Sequence, residues 1–254
     1  MSTLTKRHQT IIERLKKEGS VKVVDLCNEL NVSSVTIRKD LKFLEDKQLV
    51  YRTHGGGTLS NPYAGDRPVK EKATIMAGEK LSIGMAAAKL IEPNDCILIA
   101  SGTTVLSLAT HIQPKGALTV ITAALNVAIE LLNRPGIEVI QLGGIIRSSS
   151  SSVTGSYAET ILEDFSCSKL FLGVDGIDLE FGLTTTNMME AQLNRKMISA
   201  SQKTIVLADS SKFGKRGFGK ICGLDEIEQV ITDQNISEHM VASLQSMGIE
   251  VTIV

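Results

Sequence analysis

Seven short segments rich in β-branched and aliphatic residues alternate with helical stretches between residue 96 and the end of this 254-residue chain. They span residues 96–100, 118–122, 139–142, 170–174, 205–208, 230–232 and 251–254. Continuous apolar strands separated by helices are typical of a parallel sheet that is covered on both faces. The alternation therefore predicts an α/β fold for this part of the chain.

Polar residues follow several of the predicted strands. Ligands of open α/β sheets bind at the carboxyl ends of the strands, so these residues are the first candidates for a site. The first strand is followed by Ser101, Gly102, Thr103 and Thr104, which offer hydroxyls and backbone N–H groups at a predicted helix N-terminus, an arrangement that binds anions. Later strands are followed by Gly143, Gly144, Asp175, Gly176, Asp209 and Lys212. Together these loops predict a site for a phosphorylated ligand, with Lys212 neutralising the phosphate.

The same loops have a simpler interpretation, because Gly, Ser and Asp are ordinary turn residues. Asp175 and Asp178 can accept hydrogen bonds from sugar hydroxyls, and either can equally cap a helix. The serine tract at 148–152 is expected to form a mobile loop. Several loops with similar chemistry at one sheet edge nevertheless favour a shared ligand site.

Three short amphipathic helices are predicted near the N-terminus. The first covers about 5–17, the second ends near Asn31, and Ser33 or Ser34 caps the third. In the third helix, SSVTIRKDLKFLEDK, the expected inward face is Val35, Ile37, Leu41 and Leu44, and the expected outward face is Ser34, Thr36, Arg38, Lys39 and Lys42. A capped helix with short hydroxyl side chains and arginine on its outer face is typical of a reader of the DNA major groove.

The segment LVYRTHGGGTL, which follows the third helix, alternates apolar and polar residues and then turns on three glycines. This pattern predicts the two strands and the tip of a wing. We expect Arg52, His54, Gly55 and Gly56 to lie near the DNA backbone. Two alternatives remain open at this point: the basic residues can form an ordinary solvated face, and a winged helix can bind another protein.

Charge is distributed unevenly along the chain. Residues 1–72 contain 14 Lys and Arg against 9 Asp and Glu, whereas the remainder contains 13 against 19. A basic N-terminal module suits a partner that carries phosphates. The stretch NPYAGDRP, with two prolines and a glycine, predicts a linker. We therefore expect a winged helix-turn-helix DNA-binding domain over 1–59, a linker over 60–72 and an α/β effector-sensing and oligomerisation domain over 73–254.

Several classes of protein are disfavoured. Cys27, Cys96, Cys167 and Cys222 form no CxxC pair, so the sequence predicts neither a metal site nor a disulfide framework, and no cofactor is expected. The N-terminus is polar, and no apolar run reaches the roughly 18 residues of a membrane span. We expect a cytoplasmic protein without a membrane partner.

The stretch VSSVTIRKDLKFLE followed by THGGG resembles the DeoR family of bacterial transcription regulators, and the resemblance covers nearly the whole chain. It implies that the DNA reader includes Ser33, Ser34, Thr36, Arg38 and Lys39, with Arg52, His54 and the glycines in the wing. It also implies a sensor domain similar to ribose-5-phosphate isomerase. The matching sensor positions are Gly102, Thr103, Thr104, Gly143, Gly144, Asp175, Gly176, Gly182, Glu190, Asp209 and Lys212.

The resemblance implies a transcriptional regulator that represses a carbohydrate-metabolism operon until a phosphorylated sugar binds. Its partners would be double-stranded operator DNA and the sugar phosphate, and two half-sites would require a homodimer or homotetramer. Two departures from the family pattern are Ala100 before the Ser-Gly-Thr-Thr element and Ala123-Ala124 after Thr122. Both remove polar groups, which predicts a ligand different from the usual one.

The isomerase similarity also raises an enzyme hypothesis. Asp175 and Asp178, in DGID, resemble the paired carboxylates of the isomerase active site. In the isomerase a lysine follows those carboxylates, whereas the corresponding stretch LEFGLTTTN has none. We therefore expect no catalytic residues, and sugar-phosphate isomerisation is the alternative function.

Overall fold

The computed structural model describes residues 4–47, 49–53, 55–58 and 68–254. The chain divides into two units, Met1–Gly65 and Asp66–Val254. Among the described residues, no helix is long and apolar enough to cross a membrane.

The first unit consists of three helices and a small antiparallel sheet. Its elements are α1 (Lys6–Glu18), β1 (Ser20–Lys22), α2 (Val23–Leu30), α3 (Ser34–Asp46), β2 (Tyr51–Thr53) and β3 (Gly56–Thr58). The strand order is β1-β3-β2, so the wing hairpin extends onto a strand between the first two helices that the sequence did not predict. The three predicted helices are confirmed, with ends within a few residues of those expected.

The second unit is larger and alternates strands with helices. Its first half contains α4 (Val69–Thr74), α5 (Ala77–Ala88), β4 (Cys96–Ile99), α6 (Thr103–His111), β5 (Leu118–Thr122), α7 (Leu125–Leu131), β6 (Ile137–Gln141), β7 (Ile145–Arg147), β8 (Ser152–Thr154) and α8 (Ser156–Leu162). Its second half contains β9 (Lys169–Gly173), β10 (Gly176–Asp178), β11 (Gly182–Thr185), α9 (Met188–Ser199), β12 (Thr204–Leu207), β13 (Gly219–Cys222), β14 (Gln229–Thr232), α10 (Glu238–Ser246) and β15 (Glu250–Ile253). Short 3-10 helices lie at Ser210–Lys212 and Leu224–Glu226.

Seven strands of this unit form one parallel sheet in the order β15-β14-β12-β9-β4-β5-β6. These are the seven strands predicted from the sequence, so the α/β fold is confirmed. The strand order reverses between β4 and β9, since the chain continues from β4 toward one edge and from β9 toward the other. Such a reversal opens a crevice at the carboxyl ends of the two neighbouring strands.

The core lies on both faces of this sheet because alternate side chains of each strand point to opposite faces. Ile97 and Ile99 pack with α5, α6 and α7, whereas Leu98 packs with α8, α9 and α10. Burial on both faces explains why the strands are continuously apolar in the sequence.

Two short antiparallel sheets flank the main sheet, in the orders β7-β8 and β10-β11-β13. The serine tract at 148–152 forms the turn after β7 and the first residue of β8, and Ser150 and Ser152 are buried there. The expectation of a mobile loop is therefore wrong for these two serines, because their hydroxyls hydrogen-bond to each other at 2.8 Å.

The start of the second unit also differs from expectation. Residues 69–72, which the sequence assigned to the linker, belong to helix α4. The Nζ atom of Lys72 in this helix donates to Asp175 Oδ1 at 2.9 Å, so the helix is attached to the α/β unit. Residues 60–67 of the predicted linker lie outside the described residues.

The four cysteines are free thiols. The Sγ atoms of Cys96 and Cys167 lie 3.4 Å apart, although the sequence separates these residues by 71 positions. Burial, followed by the hydrogen bond and charge of Cys96, raises the pKa of Cys167 to about 12. Burial also raises the pKa of Cys222 to about 12, so both thiols stay protonated near neutral pH. No metal-binding group of three or more His, Cys, Asp or Glu occurs among the described residues.

Candidate DNA interface and effector pocket

Helix α3 begins at a side-chain cap. Ser33 precedes the helix in extended backbone, and its Oγ accepts from the N–H of Thr36 at 3.3 Å. The hydroxyl of Ser33 also lies 3.0 Å from Thr36 Oγ1. Because such a cap satisfies an otherwise unpaired N–H, it fixes where the helix begins and which residues face outward.

The two faces of α3 agree with the predicted pattern except at one position. Ile37, Leu41 and Leu44 are buried against the other helices. Val35 is 58% exposed, so its predicted inward orientation is wrong. It lies one residue beyond the helix start, and the buried stripe begins only at Ile37.

The exposed face of α3 carries three cations, Arg38, Lys39 and Lys42. In the described part of the chain, none of the three forms an ion pair with a carboxylate. Ser34 is exposed beside them, and Thr36 is half-buried. Unpaired cations and short hydroxyl side chains on one helix face can contact phosphates and base edges without first breaking internal bonds.

The buried side of α3 contains an acidic residue that the sequence analysis did not identify. Asp40 is 6% exposed and accepts two hydrogen bonds from Arg7, at 2.5 and 2.9 Å. Its Oδ1 also lies 3.1 Å from His8 Nε2, and the His8 ring stacks on Phe43 with centroids 4.6 Å apart. Burial opposes ionisation of Asp40, but the bonds and charges of Arg7 and His8 outweigh it and hold the pKa of the carboxyl below its usual value. This cluster fixes α3 on α1.

The wing is formed by β2 and β3. Arg52 in β2 is half-buried, and its Nη1 lies 3.8 Å from Glu45 Oε2 on α3. Gly55 is exposed, whereas Gly56 is buried and a Cβ there would lie 1.7 Å from the carbonyl oxygen of Val21. Gly56 therefore has a structural role in pairing β3 with β1, and its contact with DNA stays a prediction. His54 lies outside the described residues.

A pocket lies at the carboxyl ends of β4 and β9, where the strand order reverses. Seven of the twelve predicted effector residues line it: Ser101, Gly102, Thr103, Thr104, Asp175, Glu190 and Lys212. They come from the loop after β4, the first turn of α6, the loop after β9, helix α9 and a 3-10 helix after β12. The sheet edge thus brings together groups that are up to 111 positions apart, as the strand-end argument predicted.

Asp175 is the most heavily bonded acid of the pocket. Its Oδ2 lies 3.0 Å from Thr185 Oγ1 and accepts from the N–H of Thr186 at 3.2 Å, while its Oδ1 accepts from Lys72 Nζ at 2.9 Å. Burial disfavours the carboxylate, but the charges of Lys72 and Lys212 and the bonds from Lys72 and Thr185 outweigh burial, so the pKa of Asp175 lies below its usual value. The group is an anion at neutral pH.

Glu190 connects the pocket to the serine tract. Its Oε1 lies 3.4 Å from Arg147 Nε and 3.3 Å from Ser152 Oγ, and its Oε2 lies 3.4 Å from Thr185 Oγ1. Ser152 in turn bonds to Ser150, which lines the pocket. These contacts hold Glu190 at 7% exposure as part of a polar wall.

The N-terminus of α6 offers hydrogen-bond donors to the pocket. Gly102 precedes the helix with φ of 136°, a conformation that glycine adopts without strain, and no side chain among the described residues caps the helix there. The free N–H groups of the first turn and the helix dipole both favour an anion. The side chain of Lys212, across the same pocket, has no hydrogen bond or ion pair within the described ranges.

Lys80, on α5, lies close to these groups. Its Nζ donates to the carbonyl oxygens of Lys72 at 2.5 Å and Ile75 at 2.6 Å. Burial, followed by the repulsion of Lys212 and Lys72, lowers the pKa of Lys80, and Asp209 partly counteracts this. Lys80 therefore attaches the end of α4 beside the pocket.

Five predicted effector residues do not line the pocket, and each has a local structural role or open surroundings. Asp209 caps the 3-10 helix by accepting from Ser211, and so positions Lys212. A Cβ on Gly144, Gly176 or Gly182 would meet backbone oxygens at 2.6 Å or less. Gly143 is exposed beside the β7-β8 hairpin. The sequence could not separate these glycines from pocket glycines, since turns and ligand loops use the same residue type.

Asp178 is also outside the pocket. Its Oδ1 accepts from the N–H groups of Glu180 and Phe181 and from Arg216, so it organises the β10-β11 turn. The hydrogen bond from Arg216 lowers the pKa of Asp178 despite partial burial. The isomerase-like carboxylate pair is therefore not assembled in this pocket.

Seven lining residues were missed by the sequence analysis: Val69, Lys72, Ser150, Gly173, Val174, Thr185 and Asn194. Val69 and Lys72 lie in a segment that looked like linker, and Ser150 lies in an apparent low-complexity tract. Asn194 lies one helical turn after Glu190, a spacing that would have identified it as a neighbour on the same helix face.

The three alanines that suggested an unusual ligand are buried. Ala100, Ala123 and Ala124 are at most 2% exposed, and the pocket lining does not include them. The alanines themselves make no contact with the pocket, and a ligand different from the usual one stays a prediction.

Comparison with known proteins agrees with this two-part structure. Residues 7–62 match the model of the DeoR-like helix-turn-helix domain, and residues 75–234 match that of the DeoR C-terminal sensor domain. The chain is 37% identical over 252 residues to a putative aga operon transcriptional repressor of Escherichia coli O157:H7, covering 98% of this chain and 94% of the relative. It is 32% identical to the transcriptional repressor GlcR of Bacillus subtilis strain 168, covering 96% and 93% of the two chains.

Solved structures give weaker similarities. The full-length sorbitol operon regulator SorC from Klebsiella pneumoniae aligns with a TM-score of 0.43 at 14% identity, over 94% of this chain and 99% of SorC. Ribose 5-phosphate isomerase A from Methanocaldococcus jannaschii aligns with a TM-score of 0.40 at 14% identity, over 54% and 55%. Scores this low carry no information about activity. The matches of both domains and the full-length relatives establish that this chain belongs to the DeoR family of DNA-binding transcriptional regulators.

Proposed function

We propose that this protein represses a carbohydrate-metabolism operon and releases its operator when a phosphorylated sugar binds the sensor pocket. Two relatives support the first part, because the names of the aga operon repressor and of GlcR describe transcriptional repressors. Arg38, Lys39 and Lys42 support operator binding, since they are exposed on α3 without ion pairs in the described part of the chain.

One observation carries the choice of effector. Lys212, unpaired within the described residues, lines the same pocket as the uncapped N-terminus of α6 and the carboxylate of Asp175. A phosphate suits the lysine and the helix N-terminus, and sugar hydroxyls suit carboxylate oxygens. A neutral sugar would leave the lysine and the free N–H groups without an anionic partner.

The test measures operator affinity with and without candidate effectors. The DNA is a fragment selected from a random-sequence library by the protein itself. The panel contains ribose 5-phosphate, glucose 6-phosphate, fructose 1-phosphate and inorganic phosphate, with the neutral sugars as matched controls. We expect at least one sugar phosphate to weaken operator binding by about 5-fold or more, in the range of ordinary allosteric coupling. If saturating sugar phosphates all leave operator affinity unchanged, the effector proposal is wrong.

The salt dependence of binding tests the DNA interface separately. Each lost phosphate contact reduces the slope of log affinity against log salt by about 1. We expect Lys39→Ala and Lys42→Ala to reduce this slope, while Lys17→Ala, an exposed lysine on α1, leaves it unchanged.

We also propose that the protein acts as a homodimer or homotetramer, because one reading helix per chain serves one half-site of an operator. Sedimentation at micromolar concentration, with and without operator, measures this directly. A monomer that binds a single half-site with full affinity would contradict it.

We propose no enzymatic activity. Asp178 organises a turn outside the pocket, and only one carboxylate of the DGID segment faces the pocket. The geometry does bring Lys72 to Asp175 from a distant part of the chain, so turnover must be measured. Conversion of ribose 5-phosphate by the full chain at a rate well above background would favour the isomerase alternative.

A further inference from the structure

Polar bonds attach helix α4 to the rest of the α/β unit. None of the residues of this six-residue helix is buried. The N–H of Val69 donates to the carbonyl of Ser149 at 2.7 Å, Lys72 Nζ donates to Asp175, and Lys80 holds the carbonyls of Lys72 and Ile75. Val69 is only half-buried, and a segment without a fully buried side chain opens locally at little cost in free energy. The position of α4 therefore depends on these few bonds.

The bond from Lys72 is the exchangeable one at Asp175. The Oδ2 atom of Asp175 already accepts hydrogen bonds from the Thr185 hydroxyl and from the N–H of Thr186, at the end of β11. The Oδ1 atom accepts from Lys72. A ligand hydroxyl that hydrogen-bonds to this carboxylate must therefore bind Oδ1 together with Lys72 or displace Lys72 from it.

Charge determines which kind of ligand can cause the exchange. A neutral hydroxyl cannot compensate the Lys72 ammonium for the loss of a carboxylate, because a charge-assisted bond is about twice as strong as a neutral one. A phosphate bound beside Lys212 brings an additional negative charge of nearly two into the pocket. It can attract Lys72 while a sugar hydroxyl takes its place on Asp175. Lys72 would then distinguish a phosphorylated sugar from the same sugar without phosphate.

We propose that Lys72 is an effector-phosphate ligand that Asp175 holds in the free protein, and that its transfer to the phosphate detaches α4 and weakens operator binding. This inference rests on the proposed function. Since α4 is the first described element after the predicted linker, the exchange changes the segment through which the two units are joined in the chain.

The experiment compares Lys72→Met with Lys70→Met. Both substitutions remove one positive charge from α4, but Lys70 is exposed and has no ion pair among the described residues. Without any ligand, we expect Lys72→Met to speed exchange of the Val69 amide hydrogen at least about 10-fold and to weaken operator binding about 5-fold relative to Lys70→Met. Asp175→Asn breaks the same pair from the other side and should act in the same direction. Circular dichroism and melting curves verify that each variant is folded.

The second arm adds ribose 5-phosphate, glucose 6-phosphate and their neutral sugars. The wild-type protein and Lys70→Met should prefer the phosphorylated form, and Lys72→Met should lose about 10-fold of that preference. Equal amide exchange and equal operator binding in the two lysine variants would overturn the inference, as would an undiminished phosphate preference in Lys72→Met. A wild-type protein that ignores every sugar phosphate would instead refute the proposed effector, independently of the ligand-free comparison.

Discussion

Helix α3 and the pocket of the α/β unit both carry basic residues, but they present them differently. On α3, Arg38, Lys39 and Lys42 are exposed and form no ion pair with the described carboxylates. At the pocket, Lys72 is bonded to Asp175 and Arg147 lies beside Glu190, each with a side chain less than a quarter exposed. The first arrangement presents charge outward, whereas the second pairs Lys72 and Arg147 with carboxylates inside the fold and leaves Lys212 unpaired among the described residues.

This difference indicates two modes of recognition. An exposed cation that contacts a polyanion such as DNA displaces counterions from the DNA. The affinity therefore falls as the salt concentration rises. A cation that is already paired inside a pocket contributes to ligand affinity only if the ligand replaces its present partner. This requirement favours small ligands that carry both an acidic group for the cation and a hydroxyl group for the carboxylate it leaves. The contrast explains how a chain with a net charge of −1 can still contain a DNA-binding surface.

The largest expected effect is a loss of stability that is confined to the DNA-binding unit. Gly56→Ala places a Cβ 1.7 Å from the carbonyl oxygen of Val21, whereas Gly55→Ala meets nothing within 4 Å. Overpacking of this kind costs about 3 kcal/mol. We expect calorimetry to show a lower melting temperature for the DNA-binding unit only in Gly56→Ala, with sensor unfolding unchanged. Equal melting of the two glycine variants would contradict the pairing of β3 with β1.

A smaller effect is expected at the reader helix. Arg38→Ala should weaken operator binding by about 1 to 3 kcal/mol if Arg38 contacts a base, with relaxed preference at one base pair. Lys17→Ala, which removes a charge from α1, serves as the control. Binding measured on the selected operator and on single-base variants tests this, and an unchanged preference would restrict Arg38 to phosphate contacts.

The corresponding change in the pocket should leave DNA binding intact. Lys212→Met removes the unpaired lysine, and we expect effector affinity to fall about 10-fold, or about 1.4 kcal/mol, because a charge-assisted phosphate contact is lost. The exposed residue Lys115 provides a matched control, Lys115→Met. Calorimetric titration with the active sugar phosphate measures the change. Weakened operator binding without effector would show that the two regions are not separable in this way.

The smallest effect concerns pH. Because the folded-state pKa of Asp40 is depressed, its pairing with Arg7 and His8 stabilises the DNA-binding unit above about pH 4, the ordinary value of an aspartate. This stabilisation disappears as the pH falls through the folded-state pKa. The difference in melting temperature between the wild-type protein and Asp40→Asn should therefore shrink from about pH 7 to about pH 3. Asp25→Asn, at an exposed position, should show no such trend.

Patterns local in the chain were predicted well. The seven strands of the main sheet and the three N-terminal helices follow from hydrophobic periodicity and capping residues, which act over a few neighbouring positions. Strand ends also identified Asp175, Lys212 and the residues around Gly102 as pocket residues. Val35 was assigned to the wrong face because the start of the buried stripe depends on packing with α1 and α2, which the helix period alone does not specify.

The sequence by itself determined the α/β alternation, the amphipathic helices, the uneven charge and the polar residues at strand ends, since each is encoded within a short segment. Only the tertiary structure decided which polar residues share a pocket. Lys72 reaches Asp175 across 103 positions, and Ser150 lines the pocket and is linked to Glu190 through Ser152, because strand order and packing bring distant segments together. The tertiary structure also showed that Asp178, Gly144, Gly176 and Gly182 lie outside the pocket. The sequence could not show this, because turns and ligand-binding loops use the same residue types and differ only in their surroundings.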